Sequence, residues 1–216
     1  MPSADRRPAP SLSALLEASA RAHRHLCPRQ VLGVRIGLAG ARTMGLDIPR
    51  DDKRLLVIAE CDGCFLSGVQ AATGCYADRR TLRIEDYGKV AATFVDVELE
   101  RAIRVRPHPE ARARALAAEP DAESRWHAMR DAYQHLPDED LVEAVSVRLT
   151  RPVAVLLSPP ELRVGCAGCG EEIRNEREIC RKGAVYCRAC AGDAYYERAE
   201  SVVPRQATCV PRPLCK

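Results

Sequence analysis

Aromatic side chains and long hydrophobic runs are both scarce in this chain. Only 4% of the 216 residues are aromatic. Residues 161–200 contain three aromatic side chains, Tyr186, Tyr195 and Tyr196. A surface that binds nucleic acid by stacking bases therefore has few candidate side chains there. The longest apolar runs, such as Val153–Leu157, are far too short to cross a bilayer. These absences argue against a membrane-embedded protein and weaken the case for a nucleic-acid partner.

An excess of charge of one sign is also missing. Lys and Arg number 33 against 30 Asp and Glu, which gives a net charge of +3. Such a balance does not supply the field that captures nucleic acid or an anionic membrane over a whole surface. Any contact of this chain with nucleic acid would therefore be local.

Cysteine, in contrast, is abundant. The chain has 11 cysteines, an odd number, and the sequence opens without a hydrophobic secretory segment. Four of the cysteines form two Cys-x-x-Cys pairs at a spacing typical of zinc sites. We therefore expect metal ligands in a reducing cytoplasm and not a disulfide framework.

The two cysteine pairs lie in the carboxy-terminal quarter of the chain. Cys166-Ala-Gly-Cys169 and Cys187-Arg-Ala-Cys190 flank the seventeen residues 170–186. Four thiolates on two tight turns satisfy the tetrahedral geometry of Zn²⁺, so this spacing predicts a structural zinc site. We expect a helix from Cys187 to Glu197, which would give the order of a treble clef. Cys180, between the pairs, is either an alternative ligand or a spare thiol.

Composition also suggests the domain organisation. Pro159-Pro160 predicts a boundary between a core domain, residues 11–158, and a zinc-finger module, residues 161–200. Residues 1–10 and 201–216 are expected to be disordered. The tail carries two further cysteines, Cys209 and Cys215, which could pair on oxidation but for which we expect no specific role.

Apolar periodicity predicts an α+β core domain, with helices packed on an antiparallel sheet. The expected helices are 11–20, 28–44, 64–73, 108–118 and 121–136. The expected strands are 53–60, 81–85, 90–99, 103–105 and 141–149, and 153–157 is expected to lead out of the core.

A second set of metal-type side chains lies within this core domain. Cys61 and Cys64 follow a buried strand at the start of a helix, where backbone amides and the helix dipole favour thiolate. Cys75 lies about three helical turns beyond Cys64 and is expected on the same stripe. If the first helix continues through His23, then His23 and Cys27 share a face, with His25 pointing elsewhere. The alternatives are buried cysteines that pack as small hydrophobes and histidines that end a helix.

Several motifs of the core resemble the FmdE family, which is named after formylmethanofuran dehydrogenase. They are His23-Arg-His-Leu-Cys-Pro28, Thr73-Gly-Cys75, Arg80-Thr-Leu82 and Asp86-Tyr-Gly-Lys-Val-Ala-Ala-Thr-Phe94. The resemblance implies an α+β core that is often dimeric, a His/Cys metal cluster and a treble-clef zinc finger similar to those of DksA and TraR proteins. One departure is Ser67, where the family leads us to expect Asp. The candidate core metal site is His23, His25, Cys27, Cys64 and Cys75.

Three functions are compatible with these patterns. The favoured hypothesis is a cytoplasmic metal-binding accessory protein, linked to molybdenum, tungsten or other oxidoreductase metabolism, whose finger docks protein partners and which forms a homodimer. Its core metal would be zinc, or alternatively iron. A second hypothesis places metal-dependent or iron–sulfur catalysis at the core site. A third is a regulator whose finger binds nucleic acid or RNA polymerase.

Overall fold

The computed structural model describes residues 9–21, 23, 25–157 and 161–197 of the chain. Contacts between residues divide it into two compact units, Met1–Val153 and Ala154–Lys216. Pro159-Pro160, the tail cysteines Cys209 and Cys215, and nearly all of the two expected disordered termini lie outside the described residues. In the described ranges, no helix has the length and apolar character needed to span a membrane.

The first unit combines helices with a five-stranded sheet, which confirms the α+β class. Its helices are α1 (Leu12–Ala20), α2 (Pro28–Met44), α3 (Cys64–Thr73), α4 (Ala111–Ala118), α5 (Arg125–His135) and α6 (Asp138–Leu141). Its strands are β1 (Leu55–Ala59), β2 (Leu82–Ile84), β3 (Ala92–Asp96), β4 (Arg101–Pro107) and β5 (Val142–Val147). A further short helix, α7 (Val153–Leu157), follows β5.

The strand order in the sheet is β2-β1-β3-β4-β5. The pairs β1–β3, β3–β4 and β4–β5 are antiparallel, as expected from the sequence. The prediction that β2 joins an antiparallel sheet is wrong, because β2 runs parallel to β1, with Val57 opposite Leu82. The reason is the connection: α3 crosses from β1 to β2, and a strand-helix-strand crossover returns the chain in the same direction.

Helix α2 lies against α3 at unusually short range, and glycine makes this contact possible. A Cβ atom on Gly33 would lie 2.2 Å from the carbonyl oxygen of Phe65, and one on Gly68 would lie 2.2 Å from that of Gln30. Neither position can carry a side chain without moving a backbone. The two helices are therefore held together by backbone contact, and their amino-terminal ends lie side by side.

A buried arginine fixes α2 to the helices on its other side. Arg35 donates to the carbonyl oxygens of Tyr133 (2.8 Å) and Leu136 (2.6 Å) and to the carboxylate of Asp138 (2.7 Å). These carbonyls belong to the last turn and C-cap of α5, which has no further backbone donors for them within the helix. One side chain thus anchors α5 and the start of α6 on α2.

The second unit contains two short hairpins. They are β6 (Arg163–Gly165) with β7 (Glu172–Arg174), and β8 (Ile179–Arg181) with β9 (Ala184–Tyr186). The predicted helix over 187–197 is wrong: only turns follow β9, and the amide of Asp193 donates to the carbonyl of Arg188. Gly192, at φ 95°, ends this single turn, because a residue in that conformation cannot continue a right-handed helix. The treble-clef helix is therefore absent from residues 187–197.

The glycine contact gives a stability prediction. Gly68→Ala should lower the free energy of unfolding of the core by about 3 kcal/mol, because the new methyl group overlaps backbone atoms that belong to α2. Gly45→Ala is the matched control: it has open space around the Cβ position, and its φ of 69° costs only about 1 kcal/mol. Urea unfolding followed by circular dichroism measures both, and equal losses would contradict the packing argument.

Candidate metal centres

The four cysteines of the second unit converge on one point. Cys166 follows β6, Cys169 follows it by one turn, and Cys187 and Cys190 come directly after β9. Their four Sγ atoms all lie within 4.8 Å of one another, and the Sγ atoms of Cys169 and Cys187 are 3.9 Å apart. A tetrahedron with Zn–S bonds of about 2.3 Å has sulfur atoms about 3.8 Å apart. The donor set therefore fits a tetrahedral metal ion of the zinc type.

Backbone amides stabilise the thiolate form of Cys166. The amide of Cys187 donates to Sγ of Cys166 at 3.2 Å, and the amide of Gly168 donates at 3.4 Å. Hydrogen bonds from backbone amides, that of Cys187 foremost, lower the pKa of Cys166 to about 6. Cys190 lies at the other extreme, because hydrogen bonds with the Cys187, Cys166 and Cys169 thiols raise its pKa to about 12. Metal binding at neutral pH must therefore displace protons from the cluster.

The core candidates are brought together only in part. Cys27 is the N-cap of α2 and Cys64 is the first residue of α3, so the close contact between these helices places the two thiols side by side. Burial raises the pKa of Cys64, and a hydrogen bond with the Cys27 thiol raises it further. Two helix amino-terminal ends thus present their positive dipole ends to one pair of sulfur atoms.

His23 approaches the same end of α3. Helix α1 ends at Ala20, so His23 lies in the segment between α1 and α2 and not on a helix shared with Cys27. Its Nε2 atom is 2.9 Å from the hydroxyl oxygen of Ser67. Ser67 is three residues after Cys64 and hence on the same face of α3. His23, Cys27 and Cys64 therefore border one region.

The other two candidates lie elsewhere. The exposed ring of His25 packs edge-on against Trp126 of α5, with ring centroids 5.8 Å apart. Cys75 follows the far end of α3, where its Sγ contacts the carbonyl of Leu55 at 3.5 Å and only 2% of the residue is exposed. A ten-residue helix is about 15 Å long, so Cys75 is remote from Cys64. The expectation that Cys64 and Cys75 share a site does not agree with this placement.

Cys61 is half-buried at the turn between β1 and α3. Burial is the main reason that its pKa is raised, and the carboxylate of Asp62 adds to the effect.

In the described ranges, the finger cysteines are the one group of three or more metal-type side chains whose donor atoms already lie close enough together to bind one ion. The core residues border a region but do not form such a closed cluster.

Gln30 supports the region around Cys27, although the sequence patterns did not single it out. The side chain of Gln30 is fully buried; its Oε1 accepts from the amide of Cys27 (2.8 Å), and its Nε2 donates to the carbonyl of Ser19 (2.9 Å). It therefore joins the end of α1 to the start of α2. The signal was present in Cys27-Pro-Arg-Gln30, because a glutamine at the third helical position is typical of a capping box.

The fold and the cysteine cluster together define an α+β protein with a cysteine-rich module whose four thiols fit a tetrahedral metal ion. The family model described as "FmdE, Molybdenum formylmethanofuran dehydrogenase operon" matches residues 22–143, more than half of the chain. The chain therefore belongs to the FmdE family, as the motifs predicted.

The chain is also similar to two other proteins. The crystal structure of an FmdE-like protein of the tungsten formylmethanofuran dehydrogenase type, from Syntrophus aciditrophicus, superposes with a TM-score of 0.56, at 20% identity, over 87% of this chain and 96% of that one. At this level of identity the match supports the fold alone. An Archaeoglobus fulgidus protein described as a probable S-adenosyl-L-methionine-binding protein is 33% identical over 106 residues. This aligned region is 48% of the present chain but only 29% of that relative, so the chain spans less than a third of its length.

The finger gives a matched pair of variants. Cys190→Ser should remove about one metal ion per chain, because it deletes one of four converging thiolates. Cys180→Ser should keep the metal, since Cys180 is an exposed residue of β8 that is outside the cluster. Metal analysis of both proteins by mass spectrometry decides the point, and loss of metal in Cys180→Ser would contradict the assignment.

The same cluster predicts a pH dependence. A thiol whose pKa is raised to about 12 is protonated throughout the neutral range, so metal binding releases its proton. The apparent dissociation constant for Zn²⁺ should therefore rise at least about tenfold for each unit by which the pH is lowered. Competition with a chromophoric chelator at pH 6, 7 and 8 provides the measurement, and an affinity independent of pH would show that the thiols are not the ligands.

Proposed function

We propose that this protein is a metal-binding accessory protein of the FmdE type. The observation that carries the proposal is the convergence of four cysteine Sγ atoms within 4.8 Å in a chain of this family. Two hairpins with strands of three residues bury little apolar surface, and a bound ion would supply the folding free energy that they lack. The ion in this module is structural Zn²⁺.

The core region holds a second ion in this proposal. Cys27 and Cys64 supply two adjacent thiolates, and His23 supplies an imidazole that contacts Ser67, one helical turn after Cys64 on α3. Three protein ligands leave one coordination position for water or a further ligand, as in metal sites that act on small molecules. Zinc suits this donor set, and iron is the alternative. His25 and Cys75 are not part of the site.

Membership of the family supports the biological setting that we propose. The family is described by a molybdenum formylmethanofuran dehydrogenase operon, which supports a role beside a molybdenum or tungsten oxidoreductase. In this role the finger docks a protein partner, the protein acts in the cytoplasm, and the core domain forms a homodimer. The finger is a poor electrostatic match for nucleic acid, because the acidic residues in 161–197 offset its arginines and lysine.

Metal content in a set of full-length variants tests the core site. Wild-type protein, purified anaerobically, should contain about two metal ions per chain, and a Cys187→Ser/Cys190→Ser double variant about one. Adding Cys64→Ser or His23→Ala to the double variant should remove the remaining ion. Cys75→Ser is the matched control and should retain it, because Cys75 lies at the opposite end of α3.

Absorption spectra of the same samples identify the metal. A colourless protein with stoichiometric zinc agrees with the proposal, whereas a thiolate-to-iron band in the visible region supports iron at the core. If the finger double variant contains no metal, the core cysteines serve packing alone and the proposed core site is wrong.

A further inference from the structure

A cavity of about 450 Å³ opens where β3 and β4 meet the loop before β3. Its volume lies within the range of sites for small molecules. Its charged lining residues are all cationic: Lys89, Arg104 and Arg106. Val90, Ala91 and Pro107 complete the lining. No function assigned to the thiols uses this cavity.

The two arginines share one face of β4. Residues two apart on a strand point to the same side, so Arg104 and Arg106 project together. Their neighbours Ile103 and Val105 project to the other side, where both belong to the hydrophobic core. The backbone of β4 therefore places two guanidinium groups on the outer face of the sheet.

Two carboxylates hold these guanidinium groups in position. Glu60 accepts from Nε and Nη2 of Arg104 at 2.5 and 2.7 Å, and Nη2 of Arg106 forms an ion pair with the carboxylate of Glu143 at 2.6 Å. Each arginine keeps further N–H donors, because a guanidinium group has five. Within the described part of the chain, Nη1 of Arg104 and both Nε and Nη1 of Arg106 have no protein acceptor.

The backbone of Lys89 is equally well fixed. The amides of Tyr87 and Lys89 both donate to the carbonyl of Glu60, at 2.9 and 3.1 Å, and the carbonyl of Lys89 accepts from the amide of Ala91 at 2.8 Å. Gly88 allows this tight loop because its φ is 64°. The exposed ammonium group has no carboxylate within ion-pair distance among the described residues.

From this arrangement we propose that the cavity binds a small ligand through an oxyanion group, a carboxylate or a phosphate. Three cations face two carboxylates, so the cavity carries a positive charge that an anion neutralises. The free guanidinium donors pair with the oxygens of such a group, and Lys89 adds a point charge at the site. Glu60 and Glu143 already hold two of the three cations in position, so little order is lost on binding.

Titration of the full-length protein with inorganic phosphate and with succinate, at constant ionic strength, tests this proposal. Binding of at least one probe should displace the amide resonances of residues 86–91 and 104–106. Lys89→Gln should weaken this binding about tenfold, since it removes one charge-assisted hydrogen bond and no contact that the fold uses. Lys89→Arg should restore most of the affinity.

The matched control is Lys53→Gln, because Lys53 is an exposed lysine that precedes the opposite end of β1. It should leave binding unchanged. A response to phosphate alone assigns a phosphate ligand, and a response to succinate alone assigns a carboxylate. Absence of binding by both probes at millimolar concentration, or equal weakening by Lys53→Gln and Lys89→Gln, would overturn the proposal. Thermal unfolding of each variant confirms that the fold is intact.

Discussion

The contact between α2 and α3 through Gly33 and Gly68 is the constraint on which the core depends. A helix pair normally keeps its axes about 8–10 Å apart because side chains lie between them. Here backbone meets backbone, and a methyl group at either position would overlap a carbonyl oxygen. The amino-terminal ends of both helices are consequently fixed side by side. Cys27 and Cys64 occupy those ends, so the pairing of the two thiols is a result of how the helices pack.

The sequence predicted most of the helices and strands because their apolar periodicity is regular. It predicted the cluster of four cysteines because a Cys-x-x-Cys pair is local: two residues between two thiols define a tight turn in almost any context. The helix expected after Cys187 fails for an equally local reason. A single positive φ at Gly192 ends the turn, and a glycine inside a helical pattern does not reveal whether it will adopt that conformation.

The core site was less predictable because its donors come from separate elements. Cys75 was expected on the same helical stripe as Cys64, but residues on one stripe touch only when they are three or four positions apart, and Cys75 lies a helix length away. The described residues between α1 and α2 belong to no helix or strand, so the direction of His25 toward Trp126 could not be derived. Ser67 was noticed as a departure from the family, yet its contact with His23 depends on how the irregular chain folds back onto α3.

Glu60 is the residue through which the thiol-bearing turn and the cationic cavity meet. Its carboxylate holds Arg104, its carbonyl anchors the loop of Lys89, and Cys61 follows it directly. Burial is the first cause that raises the pKa of Cys61, and nearby carboxylates including Glu60 add to it. In the proposed site, an anion on the free donors of Arg104 adds negative charge to this neighbourhood and, like those carboxylates, favours the protonated thiol. Because linkage is reciprocal, ionisation of Cys61 weakens the binding of that anion by the same factor, so occupancy of one site is coupled to the protonation state of the other.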